Sequence, residues 1–124
     1  MIRLERQSAV NGKPALVLHG RDRETLARLI ESCSGLESET GSVAIHRLPG
    51  VISVDGCQLV AVRRERDAGV RLDDNRYIWA LDSEGWRQVQ GLLEPFLARD
   101  SSEAFQFLEN RGDATILYST DGKW

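Results

Sequence analysis

Turn-forming residue pairs divide the sequence into short segments, and this spacing restricts the possible folds strongly. Asn11-Gly12, Pro49-Gly50 and Asp55-Gly56 each separate two segments that are rich in apolar residues. Asn-Gly and Asp-Gly are strong short-range signals for a β-hairpin, since glycine adopts the positive φ that tight turns need. The pattern predicts the strands Ile2–Ser8, Pro14–His19, Val43–Arg47, Val51–Val54, Cys57–Arg64, Gly69–Leu72, Arg76–Leu81, Ala104–Leu108 and Ala114–Ser119.

Two other segments repeat apolar residues at helical spacing. Asp22, a residue type that caps helices, precedes a repeat at i, i+3, i+4 and i+7, which predicts a helix over Arg23–Ser34 that stops at Gly35. A second stripe predicts a helix over Ser83–Glu94, capped by Asp82 or Ser83 and ended or kinked by Pro95. The apolar positions are Leu26, Leu29, Ile30 and Cys33 in the first helix, and Trp86, Val89, Leu93, Phe96 and Leu97 in the second stripe.

These elements predict an α+β fold. The length of 124 residues suits one domain, 1–124, with its own core. Consecutive antiparallel strands are the simplest topology for segments joined by short turns. We therefore expect a single twisted antiparallel β-sheet (a meander) with the two helices packed on one face.

Composition places the chain among ordinary soluble proteins. Apolar residues make up 41% and charged residues 28%, with a formal net charge of −3. The sequence has neither a run of 18 apolar residues nor the pattern of a signal peptide, so we expect a cytoplasmic protein without a membrane partner. The acidic balance disfavours nucleic acid as a partner, because binding to phosphates needs a basic surface.

Motifs for catalysis and cofactor binding are missing from the sequence. It contains no GxGxxG, Walker-type loop, HExxH, CxxC or EF-hand loop, and we expect no catalytic residue, cofactor or metal. His19, His46, Cys33 and Cys57 are the only histidines and cysteines. Zinc ligands usually occur in closely spaced pairs, and these four do not, so we expect hydrogen-bonded strand histidines and buried thiols. Arg111-Gly112-Asp113 is interpreted as a turn between two strands.

Negative charge is concentrated in the second half of the chain. Residues 1–66 carry 10 basic and 8 acidic residues, a net of +2, whereas residues 67–124 carry 6 basic and 11 acidic residues, a net of −5. Turn and cap chemistry accounts for many of these acids, and an acidic surface that attracts a basic protein is the functional alternative. The candidate partner-binding acids are Asp73, Asp74, Asp82, Glu84, Asp100 and Glu103.

Trp124 lies beyond the last predicted strand, where no periodic pattern buries it. Two interpretations remain open: the indole folds back as a plug, or it offers an exposed aromatic ring to a partner. We include Trp124 among the candidate partner-binding residues.

The final strand pair carries a family resemblance. The segment from Glu103 to Leu108 reads EAFQFL, and the segment from Ala114 to Trp124 reads ATILYSTDGKW. Together they resemble the ending of small bacterial immunity proteins that accompany secreted polymorphic or contact-dependent toxins. The resemblance implies a cytoplasmic inhibitor that binds and blocks a toxin domain, often a nuclease, and it implies no catalytic residues.

The leading hypothesis is therefore a non-enzymatic, protein-binding inhibitor that contacts a basic toxin domain through acidic residues. The first alternative is a small enzyme or ligand-binding domain with a pocket between sheet and helices, where His19, His46 or Cys57 would meet carboxylates. The second alternative is an adaptor subunit, whose partner covers the same surface without being inhibited.

Overall fold

The computed structural model describes residues 1–8, 12–98 and 104–124. Its elements confirm the α+β class, with two α-helices and nine strands in these residues. In chain order the elements are β1 (Ile2–Gln7), β2 (Ala15–His19), α1 (Arg23–Ser38), β3 (Ser42–Ala44), β4 (Val51–Ser53), β5 (Leu59–Arg63), β6 (Gly69–Asp73), β7 (Arg76–Leu81), α2 (Ser83–Leu93), β8 (Phe105–Glu109) and β9 (Thr115–Ser119).

The prediction of a single antiparallel sheet is wrong, because the strands form two mixed sheets. A five-stranded sheet has the order β4-β1-β2-β9-β8, and a four-stranded sheet has the order β3-β5-β7-β6. Three pairs are parallel: β1 with β4, β2 with β9, and β5 with β7. The continuously apolar β2 explains part of this arrangement, since a strand buried on both faces belongs in the middle of a sheet.

Three of the predicted hairpins form and one does not. The pairs β1/β2, β6/β7 and β8/β9 are antiparallel neighbours, as the turn signals indicate. The chain also turns at Asp55-Gly56, where Asp55 has a φ of 53°. The segments on either side of that turn nevertheless join different sheets, β4 beside β1 and β5 between β3 and β7, so the predicted hairpin over Val51–Arg64 is wrong.

Helix α1 continues past Gly35 to Ser38, four residues beyond the predicted end at Ser34. Leu36 is 4% exposed and continues the buried face of the helix. Its packing therefore outweighs the low helix propensity of Gly35. The guanidinium of Arg63 donates to the carbonyl oxygens of Leu36 and Glu37 at 2.9 and 2.8 Å. Ser83 donates to the Glu37 carbonyl as well. These bonds satisfy carbonyls that would otherwise lack partners at the end of the helix.

Helix α2 agrees with its prediction. The Asp82 carboxylate accepts a hydrogen bond from the Gly85 amide at 2.8 Å and caps the helix. After Leu93 the chain tightens into a 3₁₀ turn, Glu94–Leu97, that contains Pro95. The segment predicted as the strand Val43–Arg47 also ends in a 3₁₀ turn, Ile45–Arg47, so His46 is not in a strand.

One core unites both sheets and both helices. Trp79 on β7 and Trp86 on α2 are fully buried, as expected, and their rings meet edge to face at 4.9 Å. The two helices contact each other, and α2 also contacts β7 and β8, one strand from each sheet. Among the described residues no helix is both long and apolar enough to cross a membrane.

The Arg111-Gly112-Asp113 turn, predicted as structural, joins the two sheets. The Val70 amide donates to the Arg111 carbonyl at 3.0 Å, and the Asp113 amide donates to the Val70 carbonyl at 2.7 Å. A Cβ at Gly112 would lie 1.9 Å from the Val70 carbonyl oxygen. The close approach of β6 to this turn therefore requires glycine.

Candidate functional site

Strand β8 forms one edge of the five-stranded sheet and carries exposed aromatic side chains. Phe105 and Phe107 occupy alternate positions, so both lie on the same face of the strand. Their side chains are 48% and 37% exposed, and their rings meet edge to face at 5.8 Å. Large apolar side chains exposed together often mark a site of protein contact.

The chain after β9 turns back over this face. The buried Ser119 hydroxyl donates to the Lys123 carbonyl at 2.8 Å and accepts from the Gly122 amide at 2.9 Å. The Asp121 carboxylate accepts from the Lys123 amide at 3.0 Å. This bond is the largest of the influences that lower the pKa of Asp121. The compact turn sets the position of Trp124.

The Trp124 indole lies across the outer face of the five-stranded sheet. Its Nε1 donates to Oε1 of Gln7 on β1 at 3.0 Å, and its ring meets that of Phe107 on β8 at 6.2 Å. Strands β2 and β9 lie between β1 and β8, and there Val17 and Leu117 form an adjacent, fully buried pair. Trp124 itself is 36% exposed. It thus folds back as a plug and still presents part of its ring to solvent.

Phe105, Phe107 and Trp124 together are named the aromatic face. Aromatic residues contribute a large share of the binding energy in protein interfaces. Both ring contacts within the face are edge to face, so each ring already packs against another before any partner binds.

A groove of about 420 Å³ runs between β8 and α2 and shares Phe107 with the aromatic face. Gln88 and Leu92 line it from the helix, and Phe107 and Leu108 line it from the strand. Gln88 is exposed, whereas Leu92 is half-buried. We name this space the β8–α2 groove. An exposed edge strand facing a helix is a geometry that binds extended peptides in several protein classes.

Charged side chains form one end of the β8–α2 groove. Glu109 is 6% exposed and accepts hydrogen bonds from Trp79 Nε1 at 3.1 Å and from Arg111 Nε at 3.0 Å. Burial raises the pKa of Glu109, but the hydrogen bonds from Arg111 and Trp79 outweigh it and hold the pKa below its ordinary value. The carboxylate is therefore ionised and fully engaged inside the protein.

Asp67 lies on the other side of the Arg111 guanidinium, which is 3.7 Å from its Oδ2. Its Oδ1 accepts from the Asp82 amide at 2.8 Å. A Cβ at Gly85 would lie 2.6 Å from Asp67 Oδ1, so the glycine makes room for this carboxylate. Asp67, Asp82 and Glu109 thus place three carboxylates around Arg111.

The candidate acidic residues fall into separate groups. Asp73 and Asp74 form the tip of the β6/β7 hairpin, whereas Asp82 and Glu84 follow the opposite end of β7. Six strand residues separate the two groups, a distance of about 20 Å. Asp82 lies beside the β8–α2 groove through its bond to Asp67, and Glu84 pairs with Arg87 at 3.1 Å. Asp100 and Glu103 lie outside the described residues.

The histidines and cysteines occupy different surroundings. His19 hydrogen-bonds the Glu5 carboxylate at 3.1 Å, the His46 ring hydrogen-bonds the Leu59 backbone, and Cys33 is buried in the core. Cys57, which was expected to be buried, is half-buried and lines a cleft of about 740 Å³ that also contains Glu5, and partial burial raises the pKa of its thiol. Neither histidine lines that cleft. In the part of the chain that the structure describes, no three His, Cys, Asp or Glu side chains are grouped to hold a metal ion.

The sequence singled out Trp124 but not Phe105 or Phe107. Alternating aromatic residues occur in central strands and in edge strands alike, so the sequence does not show that these two are exposed. Glu109 and Arg111 were also missed as a pair.

Comparison with known proteins gives no relative on which function could be based. No family model, no curated protein and no solved structure matches the chain.

Proposed function

We propose that the protein is a non-enzymatic, protein-binding inhibitor of the immunity type, and that it contacts a toxin domain through the aromatic face. The observation that carries the proposal is the exposed, mutually packed set of Phe105, Phe107 and Trp124 on an edge strand. Such a surface supports binding to a protein because aromatic rings lose little conformational entropy when a partner covers them.

The aromatic face coincides with the segment that resembles immunity proteins. Phe105 and Phe107 lie in the first half of the resemblance, and Trp124 ends the second half. The proposal therefore places the contact on the part of the chain that carries the resemblance.

The charged groups favour a basic partner. At the end of the β8–α2 groove, next to the aromatic face, the carboxylates of Asp67, Asp82 and Glu109 outnumber two guanidinium groups, those of Arg111 and Arg63. A local excess of carboxylates increases the rate at which a basic domain associates and disfavours acidic competitors. The proposal keeps Asp82 and Trp124 at the contact and does not require the distant Asp73 and Asp74.

The raised thiol pKa of Cys57 disfavours a nucleophilic cysteine in the cleft that it lines. A nucleophilic cysteine needs a depressed pKa, since the thiolate is the reactive form, and burial acts here in the opposite direction. His46 is bonded to the Leu59 backbone, and His19 is bonded to Glu5 at the border of the cleft without lining the cleft itself.

The proposal requires that a gene beside this one encodes a toxin domain, and the test is stoichiometric inhibition of that domain. Purified wild-type protein should form a one-to-one complex with that domain and abolish its activity at equimolar concentration. An adaptor would form the complex and leave the activity intact. A neighbouring gene without a toxin domain, or a toxin domain that neither binds nor loses activity, would overturn the proposal.

A further inference from the structure

We infer that the β8–α2 groove binds an extended segment of the partner, which adds a strand to β8 and places a lysine or arginine side chain at Asp67. The identity of the partner as a toxin domain rests on the proposed function. The binding mode itself rests on the geometry of the groove.

The backbone of β8 is oriented for strand addition. The Ala104 carbonyl accepts from the Thr120 amide, so Ala104 points its backbone groups toward the β9 side. Successive residues of a strand point these groups alternately to the two sides, and those of Phe105 and Phe107 therefore point to the open edge. The Phe107 carbonyl accepts from the Gln106 side chain at 3.0 Å, a bond that the added strand would replace, and the register of β8 shifts between Phe107 and Glu109, so the added strand would pair with the part of β8 before this shift. Within the described residues, β9 is the sole strand neighbour of β8.

The walls of the groove suit apolar side chains of an added strand. Leu92, Phe107 and Leu108 contribute apolar surface, and the space of about 420 Å³ falls within the range of protein binding sites. The exposed Gln88 stands at its rim on α2. An added strand would have β8 on one side and the helix on the other, as in known modes of peptide recognition.

The charged side chains at the polar end of the β8–α2 groove determine which side chain of an added strand can bind there. Glu109 accepts from both Nε and Nη2 of Arg111, at 3.0 and 3.2 Å, so a carboxylate already compensates the charge of the guanidinium before any ligand binds. Asp67 Oδ2 is 3.7 Å from Arg111, too far for a hydrogen bond, and Asp67 is 33% exposed on its side chain. With Asp82 and Glu109 adjacent, the end of the groove attracts a cation and repels an anion.

The probe is a displayed library of random ten-residue peptides selected against the purified full chain. We expect enrichment of peptides that alternate apolar residues and contain a lysine or arginine. For a selected peptide, Gln88→Arg should weaken binding about tenfold by filling and charging the groove, whereas Gly91→Arg, on the same helix outside the groove, should leave the affinity unchanged. Asp67→Asn should remove the preference for the basic peptide over its glutamate derivative.

Hydrogen exchange distinguishes strand addition from side-chain contact alone. The bound peptide should slow exchange at the Phe105 and Phe107 amides. No enrichment, enrichment of acidic peptides, indifference to Gln88→Arg or unchanged exchange at both amides would each overturn the inference. If selected peptides bind as described but the toxin domain does not, the groove assignment stands and the proposed function fails. If the toxin domain binds and Gln88→Arg has no effect on that complex, the proposed function stands and the groove assignment fails.

Discussion

The Trp124 indole donates a hydrogen bond to the Gln7 side chain at 3.0 Å, so the end of the described chain is tied to its first strand. The ring reaches from Gln7 on β1 to Phe107 on β8 and therefore lies over the two strands between them, β2 and β9. There Val17 and Leu117 have no exposure to solvent. One residue thus contributes both to the stability of the outer sheet face and to the surface proposed for binding.

Trp124→Ala should lower the free energy of unfolding by about 1 to 2 kcal/mol, because it uncovers apolar surface on β2 and β9. Urea denaturation measures the effect. Leu72→Ala is the control: Leu72 is 47% exposed, so its truncation should change stability by less than about 0.5 kcal/mol. Equal stability of the Trp124 variant and the wild type would show that the indole does not cover the sheet.

Gly112→Ala should be severely destabilising, by about 3 kcal/mol or more, since its Cβ would collide with the Val70 carbonyl that joins the sheets. Gly56→Ala is the matched control: Gly56 has a similar positive φ of 71°, but no atom lies within 4 Å of its added Cβ. Gly56→Ala should lower the free energy of unfolding by about 1 kcal/mol, because alanine disfavours the positive φ at this position. Similar losses in both variants would rule out the close approach of the turn to β6.

Gly35→Ala should stabilise the protein by about 0.5 to 1 kcal/mol. Gly35 is an exposed position inside α1 with open space around its added Cβ, and alanine favours helical backbone more than glycine does. Thermal unfolding with far-ultraviolet circular dichroism checks the shift. Destabilisation would instead mean that the helix ends at the glycine, as the sequence pattern predicted.

Glu109→Gln should reduce the acid sensitivity of the fold. The folded-state pKa of Glu109 lies below its ordinary value of 4.5, because the hydrogen bonds from Arg111 and Trp79 outweigh burial. Its ionised form therefore adds stability above that ordinary value, and this contribution is lost as the pH falls through the lower folded-state pKa. The variant should be less stable than the wild type at pH 7, and the difference should shrink toward pH 3. A difference that stays constant over this range would contradict the assignment.

Local signals predicted three of the four hairpins and both helix starts, since a turn pair or a cap acts on adjacent residues, whereas the Asp55-Gly56 turn joins strands of different sheets. The sequence did not reveal the parallel pairing of β2 with β9, because partners far apart in the chain are selected by packing. Gly35 shows the same limit, as the buried Leu36 carries α1 past a residue that commonly ends helices.

The candidate site was predictable to a similar extent. Trp124 stood out because no pattern buried it, while Phe105 and Phe107 became recognisable only when β8 proved to be an edge strand. The acidic residues could be counted along the chain, but their division between the two ends of β7 depends on the fold.

The most direct measurement of the central claim is a calorimetric titration, into wild-type protein and into the double variant Phe105→Ser/Phe107→Ser, of the toxin domain that the proposed function requires. Leu72→Ser controls for the loss of an exposed apolar residue elsewhere, and Asp73→Lys/Asp74→Lys tests the hairpin tip. Thermal unfolding should first establish that each variant is folded. We expect the double phenylalanine variant to bind about a hundredfold more weakly and the two controls to remain within about threefold of the wild type. Full affinity in the phenylalanine variant, with loss of binding in the aspartate variant, would contradict the account.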